Sequence, residues 1–255
     1  MIIKKQNTTW HIIWLTTFVI GGFAFLFLSQ NWFSNLKAKK IVISGNSLVS
    51  KKEILEIIEN DSLQIFKELD LKLLEEKIEK NVFVKEAVVL RDPLGVIKIE
   101  INERVPFAVL TSKNNSALSY LDEEGIVLQY RNLEDVIDVP LISISENFTS
   151  NIGEKIQNKN IINILNFLRD AKSNNRIFYY NVSEMKCDNK GNFIAYSAEK
   201  GLPILIGKNN IENKINNLNA FFTHFPIEND SNRVRYIDAR FNEQIIIGTQ
   251  NLILN

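Results

Sequence analysis

The side chains that most often carry catalysis or bind metal ions are few and widely spaced in this sequence. The two histidines are His11 and His224, and neither has the i, i+4 spacing or the neighbouring cysteine or carboxylate cluster that a zinc site requires. His224 is expected in a solvated loop before Pro226. The chain has neither a glycine-rich phosphate loop nor a serine nucleophile elbow. These patterns give no support to an enzyme, and we expect no cofactor and no metal.

Two groups of charged side chains could instead bind a cation or move a proton. Asp122-Glu123-Glu124 lacks the alternate-residue spacing of a calcium loop, so a charged hairpin turn closed by Gly125 explains it better. Asp238 and Arg240 lie two residues apart on a predicted strand, where both point to one face and an ion pair or hydrogen-bond latch is expected. Cys187 is the only cysteine, so no intrachain disulfide can form, and a small buried side chain on a strand is the preferred interpretation.

These side chains follow an apolar stretch that sets the organisation of the chain. Ile12 to Leu28 contains no charged residue, and a helix of about 20 apolar residues covers a hydrocarbon core of about 30 Å. Trp10 and Trp32 stand near its ends, where amphipathic rings favour the membrane–water interface. A cleaved signal peptide would have a shorter apolar run and a small-residue cleavage site, which the residues from Ser29 onwards do not provide. The sequence therefore predicts a cytoplasmic tail over residues 1–11, a transmembrane helix in the lipid bilayer over residues 12–33 and a spacer over residues 34–39.

Charge and length limit the remaining function classes. The sequence has 30 Lys and Arg residues and 30 Asp and Glu residues, so it lacks the basic excess that nucleic-acid binding requires. The lysines on the two sides of the apolar stretch do not decide its orientation. A short tail inside the cell with a long exported domain is the common single-pass arrangement. About 220 residues follow the predicted anchor, which is enough for two domains with separate cores.

The part after the spacer has the periodicities of a small α+β module, which we place over residues 40–110. Ile41 to Ile43 is a short β-branched strand that ends at the turn glycine Gly45. A capping box from Ser50 to Glu53 opens one helix, and Asp70 caps a second one. The second helix is expected to direct apolar side chains inward and glutamates to solvent: Leu71, Leu74 and Ile78, and Glu75, Glu76 and Glu79. Strands over 82–91 and 96–101 complete the order β-α-α-β-β.

The following part, over residues 111–248, is predicted to be mainly β with two helices. A hairpin is expected around 120–128, and amphipathic helices are expected over 161–168 and 211–222. Further strands are predicted around residues 139–142, 179–187, 192–197, 203–206, 233–240 and 244–247. A C-terminal tail over residues 249–255 follows.

Several motifs in this order resemble the bacterial FtsQ family, called DivIB in other bacteria. Val42-Ile43-Ser44-Gly45-Asn46 after the anchor and Glu103-Arg104-Val105-Pro106-Phe107-Ala108 resemble its POTRA module. Leu205-Ile206-Gly207 before a helix and Tyr236-Ile237-Asp238-Ala239-Arg240 resemble its β domain, although Ala239 replaces the usual leucine. The resemblance covers the whole chain. It implies an α+β fold with a single transmembrane helix, a POTRA domain and an FtsQ-type β domain.

The same resemblance implies a non-enzymatic, membrane-anchored scaffold of the bacterial division machinery, the divisome. Such a protein would be a single-pass protein of the bacterial cytoplasmic (inner) membrane, with its N-terminus inside, its large domain extracytoplasmic and enrichment at the division septum. Its POTRA module would contact other divisome proteins, and the end of its β domain would recruit FtsB- and FtsL-like proteins by β-strand addition. The alternative is a membrane-anchored envelope enzyme that acts on cell-wall polymer, since carboxylates distant in sequence can converge in a fold.

Strand addition is expected at the two strands that close the chain. Alternation places Tyr236, Asp238 and Arg240 on one face and Ile237, Ala239 and Phe241 on the other, and a turn at Asn242-Glu243 returns the chain antiparallel. The expected partner-binding residues are Tyr236, Asp238, Arg240, Phe241, Gln244, Ile245, Ile246, Ile247 and Gly248. In a simpler alternative, the last strand only closes the core and the tail frays. Proline would distinguish the two, with Ile246 as the first candidate for an N–H that points outward.

Overall fold

The computed structural model describes the chain as two compact units, which divide between Glu103 and Arg104. The described residues are 8–34, 40–59, 70–112, 115–131, 138–145, 148, 150–174, 176–208, 210–224 and 234–249. The spacer at 35–39 and the tail at 250–255 lie outside them, as do residues 1–7 of the N-terminal tail.

The first element is a helix of 27 residues, α1 (Thr8–Ser34). The hydroxyl of Thr17 donates to the backbone carbonyl of Ile13 at 2.6 Å, and that of Thr16 donates to the same carbonyl at 2.9 Å. These bonds satisfy the two threonine hydroxyls with backbone carbonyls of the same helix. Within the part of the chain that the structure describes, no helix meets the combined length and hydropathy criteria for a membrane span.

The rest of the first unit has the predicted order of elements. It contains β1 (Lys40–Ser44), α2 (Lys51–Glu59), α3 (Leu71–Ile78), β2 (Val84–Arg91) and β3 (Val96–Glu103). The three strands form one sheet in the order β1-β3-β2, in which β1 is parallel and β2 antiparallel to β3. Buried side chains from both helices and the sheet form the core, among them Ile54, Leu74 and Ile99.

Local hydrogen bonds explain where these elements begin. The hydroxyl of Ser50 accepts a bond from the backbone N–H of Glu53, and Asp70 accepts bonds from the first N–H groups of α3. The turn after β1 needs Gly45, which has a φ of +79° and no room for a Cβ beside the backbone carbonyl of Ile101. The carboxylate of Glu103 then accepts three successive backbone N–H groups, those of Ser47, Leu48 and Val49, at 2.7 to 2.9 Å.

The second unit contains one large sheet and three helices among its described residues. Its strands are β4 (Pro106–Ser112), β5 (Asn115–Asp122), β6 (Val127–Gln129), β7 (Leu141–Ile144), β8 (Val182–Cys187), β9 (Phe193–Ser197), β10 (Pro203–Gly207), β11 (Val234–Asp238) and β12 (Ile246–Thr249). The helices are α4 (Lys159–Asn174), α5 (Arg176–Tyr180) and α6 (Ile211–His224). The sheet order is β12-β11-β10-β9-β8-β7-β4-β5-β6. Alternate strand residues and the apolar side chains of the three helices form one core.

The structure corrects the predicted boundaries at several points. Residues 104–110, which the sequence placed with the first module, belong to the second unit because β4 pairs with β5 and β7 of the large sheet. The strand predicted from Tyr179 begins only at Val182, and a third helix precedes it. That helix forms because Phe178 packs between Phe167 and Phe222, with ring centroids 5.7 Å from each.

Three predictions about single side chains can also be assessed. Cys187 is buried at the end of β8, with 2% of its surface exposed, as predicted. His224 is the last residue of α6 rather than part of a loop. Glu79 is exposed, as predicted, and Glu75 is partly buried, but the sequence did not predict that both carboxylates accept backbone N–H groups of β2.

Candidate strand-docking edge

The strand that closes the chain lies at one end of the large sheet. β12 pairs with β11 in antiparallel register, with Asp238 opposite Ile246, Ile237 opposite Ile247 and Tyr236 opposite Gly248. This confirms that the chain turns and returns antiparallel after β11. No other strand in the described ranges pairs with the outer side of β12. An unpaired strand edge presents N–H and C=O groups that another chain can pair with.

The hydrogen bonds of β11 determine which groups of β12 point outward. The N–H of Ala239 donates to the carbonyl of Leu205 in β10 at 2.9 Å, so the backbone groups of Ile237 also face β10 and those of Asp238 face β12. Asp238 and Ile246 are therefore a hydrogen-bonded pair, so the backbone N–H and C=O of Ile246 point toward β11. The N–H and C=O of Ile247 point away from β11. The sequence suggested Ile246 as the first candidate for an outward N–H, but the register assigns the outward N–H to Ile247.

One face of the β11–β12 ladder carries exposed apolar side chains. Tyr236 and Ile246 lie on the same side of the ladder, with 40% and 41% of their surfaces exposed. The ring of Tyr236 lies directly over Gly248 and occupies the space that a Cβ at that position would need. Only glycine, which has no Cβ, leaves room for the Tyr236 ring at this position of the edge strand.

Asp238 and Arg240 form the latch that the sequence predicted. The Arg240 guanidinium donates to both carboxylate oxygens of Asp238, from Nε at 2.9 Å and from Nη2 at 2.6 Å, and the Arg240 backbone N–H donates at 3.1 Å. These bonds hold the pKa of Asp238 below its ordinary value. Asp238 is 4% exposed, and its neighbours Ile237 and Ala239 are also buried. The predicted strict alternation does not hold, because β11 ends at Asp238 and the chain leaves the strand there.

A buried lysine, which the sequence did not indicate, lies close enough to Asp238 and Arg240 to interact with their charges. Lys214 on α6 is 2% exposed, and its Nζ donates to the carbonyl of Ile206 at 2.6 Å. Burial lowers the pKa of Lys214, while the charge of Asp238 opposes that shift. Its only sequence signal is its position in the apolar stripe of α6, beside Ile215 and four residues before Leu218.

Helix α6 also holds the bend that leads into β12. The Asn217 side chain donates to the backbone carbonyl of Asn242 at 2.7 Å, and that of Asn210 donates to the Asn242 side chain at 3.4 Å. Phe241 and Gln244 are exposed in this segment, and Ile245 packs partly against the core. All nine predicted partner-binding residues therefore lie along β11, this bend and β12.

At the opposite end of the sheet, the outer edge of β6 is covered at Val127. The N–H of Val127 in β6 donates to Glu154 at 2.9 Å, and its carbonyl accepts from Gly153 at 2.8 Å. The acidic turn beside it is a structural turn, since Asp122 accepts the backbone N–H groups of Glu124 and Ile126. Asp122 also pairs with Arg104 at 2.8 Å.

Comparison with known proteins identifies both units. Residues 36–104 match the family described as POTRA domain, FtsQ-type, and residues 105–248 match the family described as FtsQ/DivIB, C-terminal related. The chain is 27% identical over 213 residues to cell division protein FtsQ of Syntrophotalea carbinolica, which covers 83% of this chain and 73% of that protein. It is 24% identical over 248 residues to cell division protein FtsQ of Rhodothermus marinus. This match covers 96% of this chain and 89% of that protein. The chain therefore belongs to the FtsQ/DivIB family of cell division proteins.

Proposed function

We propose that this chain is a non-enzymatic, membrane-anchored scaffold of the divisome that recruits FtsB- and FtsL-like proteins by strand addition to β12. The observation that carries the proposal is the outward N–H and C=O of Ile247 in β12, beyond which no further described strand pairs; their direction follows from the register and the Ala239 bond. A partner strand would complete the ladder there, and its side chains would lie beside Tyr236 and Ile246.

The contrast between the two ends of the sheet supports this choice of edge. The segment around Gly153 already supplies hydrogen bonds to β6. The outer edge of β12 has no such cover among the described residues. Natural proteins cover or shorten their edge strands to prevent unwanted pairing, so a strand left open next to exposed apolar side chains is a suitable docking site.

The edge is also held in place before any partner binds. The Asp238–Arg240 latch fixes the end of β11, and the Asn217–Asn242 hydrogen bond fixes the bend before β12. A strand that is already ordered loses less conformational entropy on binding than a mobile segment, which favours affinity.

The proposed location in the membrane rests on α1. Its described side chains, residues 13–28, are exposed on all sides, with Phe18 at 80% and Phe25 at 73%. A helix that is apolar all round requires an apolar environment. We therefore place residues 12–33 in the cytoplasmic membrane, with the N-terminus inside, the chain from Lys40 onwards extracytoplasmic at the septum, and the POTRA domain available to other divisome proteins.

Single proline variants of the full chain in detergent test the docking mechanism. Ile247→Pro removes an N–H that no described strand uses, so we expect a folded protein that no longer binds the FtsB- and FtsL-like proteins of the same organism in a pull-down assay. Ile246→Pro should instead reduce the melting temperature, because its N–H bonds to β11. Ile247→Ala is the matched control, since it removes the side chain and retains the N–H. Binding by a folded Ile247→Pro protein would contradict strand addition at this edge.

A further inference from the structure

In the small sheet of the first unit, two backbone N–H groups on the outer side of an edge strand donate to glutamate side chains. β2 is at one end of the order β1-β3-β2. The N–H of Ala87 donates to Oε1 of Glu79 at 3.0 Å, and the N–H of Val89 donates to Oε1 of Glu75 at 2.8 Å. Residues 87 and 89 use the same edge of the strand, since backbone groups alternate between its two sides. Two side-chain carboxylates therefore occupy consecutive outward positions of the ladder.

The geometry of the two elements explains why this arrangement fits. Glu75 and Glu79 are four residues apart on α3, which is a rise of about 6 Å along a helix. Ala87 and Val89 are two residues apart on β2, which is about 6.6 Å along a strand. One helical turn thus matches the spacing of successive outward N–H groups. A partner strand would present its backbone carbonyls at these same two positions.

The exposed side chains of β2 indicate what would pair there if the carboxylates were absent. Val88 and Leu90 are 38% and 51% exposed on the strand. An edge strand with exposed apolar and β-branched side chains is prone to pair with another copy of itself. Two glutamates one turn apart also repel each other on an isolated helix, so local helix stability does not account for them.

We propose that Glu75 and Glu79 close the β2 edge and prevent its pairing with β2 of a second copy of this chain. The carboxylates take the place of a neighbouring strand by accepting the hydrogen bonds that its carbonyls would accept. A protein that binds the first unit must then use another of its surfaces. This inference is independent of strand addition at β12, because it concerns a different sheet in a different unit.

The test compares two double variants of the full chain in detergent micelles. Glu75→Ala with Glu79→Ala removes both acceptors, whereas Glu75→Gln with Glu79→Gln removes the charges and keeps an oxygen acceptor at each position. We expect the alanine pair to form dimers, seen as a twofold increase in protein mass by light scattering, and the glutamine pair to remain monomeric. Adding Val88→Lys to the alanine pair should restore the monomer, since a charged edge residue opposes strand pairing.

Other outcomes would overturn the proposal. A folded alanine pair that remains monomeric would show that the carboxylates only fasten α3 to the sheet. Dimers of both pairs would show that charge, rather than occupation of the ladder, keeps the copies apart. Loss of the near-ultraviolet circular dichroism would show that the alanine pair is unfolded. The single variant Glu79→Ala would then be tested instead, because Glu75 would still bond α3 to β2. A folded, monomeric Glu79→Ala protein whose Ala87 amide exchanged as slowly as in the parent would then refute the inference.

Discussion

Replacing Asp238 tests whether the Asp238–Arg240 latch, beside the proposed docking edge, stabilises the second unit. Its carboxylate accepts three hydrogen bonds from Arg240, two of them from the charged guanidinium. A hydrogen bond to a charged group contributes about 1.5–3 kcal/mol to the free energy of unfolding. The Arg240 side chain is 55% exposed, so solvent screening places the expected loss at the lower end, about 1–2 kcal/mol. Asp238→Asn should therefore lower the melting temperature of the second unit by roughly 2–8 °C.

The same substitution should alter the dependence of stability on pH. The pKa of Asp238 is lowered in the folded state because Arg240 bonds to its carboxylate, so folding favours the ionised form. Its contribution is fully present above the pKa of the unfolded state, about 4, and is lost as pH falls through the lower pKa of the folded state. Between pH 7 and pH 3, Asp238→Asn should show a smaller loss of stability than the parent.

The assay is thermal or urea unfolding of the full chain in detergent, followed by near-ultraviolet circular dichroism at several pH values. Glu243→Gln is the matched control, since this carboxylate is exposed in the nearby bend. Arg240→Ala and the double variant complete a cycle in which the coupling energy measures the latch itself. Equal melting temperatures for the parent and Asp238→Asn, with superimposable pH profiles, would refute the reasoning.

Two further predictions concern the first unit and the anchor. Gly45→Ala should destabilise the first unit by more than about 2 kcal/mol in thermal unfolding, because it combines a positive φ with a clash against the Ile101 carbonyl; no change in its unfolding transition would show that this turn can rearrange. Protease added to spheroplasts should digest the chain from Lys40 onwards and leave α1 protected, because we propose that residues 12–33 lie in the membrane; cleavage confined to the N-terminal tail would reverse the proposed orientation.

The parts of the fold that could be predicted are those set by local patterns. The capping residues Ser50 and Asp70 and the turn glycines Gly45 and Gly125 act within a few residues of the chain, so their effects are visible in the sequence. The β-α-α-β-β order follows from the periodicity of the apolar residues in each element. The Asp238–Arg240 pairing was also predicted, although the strand geometry used to predict it does not hold, because β11 ends at Asp238 and Arg240 bonds to Asp238 from beyond the strand.

The parts that could not be predicted depend on contacts between distant segments. Phe178 and Tyr179 are β-formers by type, yet they lie in a helix because core packing overrides local propensity. The roles of Glu75, Glu79 and Lys214 depend on which backbone groups lie beside them in space. The direction of the Ile247 N–H depends on the register with β11 and on a bond from Ala239 to β10, neither of which leaves a signal in the residues themselves.

The length of β12 implies how a partner would be recognised there. The strand has four residues, Ile246–Thr249, and only alternate residues point outward, so the backbone of the edge offers few ladder hydrogen bonds. Each such bond contributes about 0.5–1.5 kcal/mol net, which is too little for stable binding once the entropy of association is counted. If a partner docks at β12 as proposed, the exposed side chains of Tyr236 and Ile246 must supply most of the remaining free energy. A partner strand therefore needs large apolar side chains on the face it shares with Tyr236, and an arbitrary extended peptide should not bind.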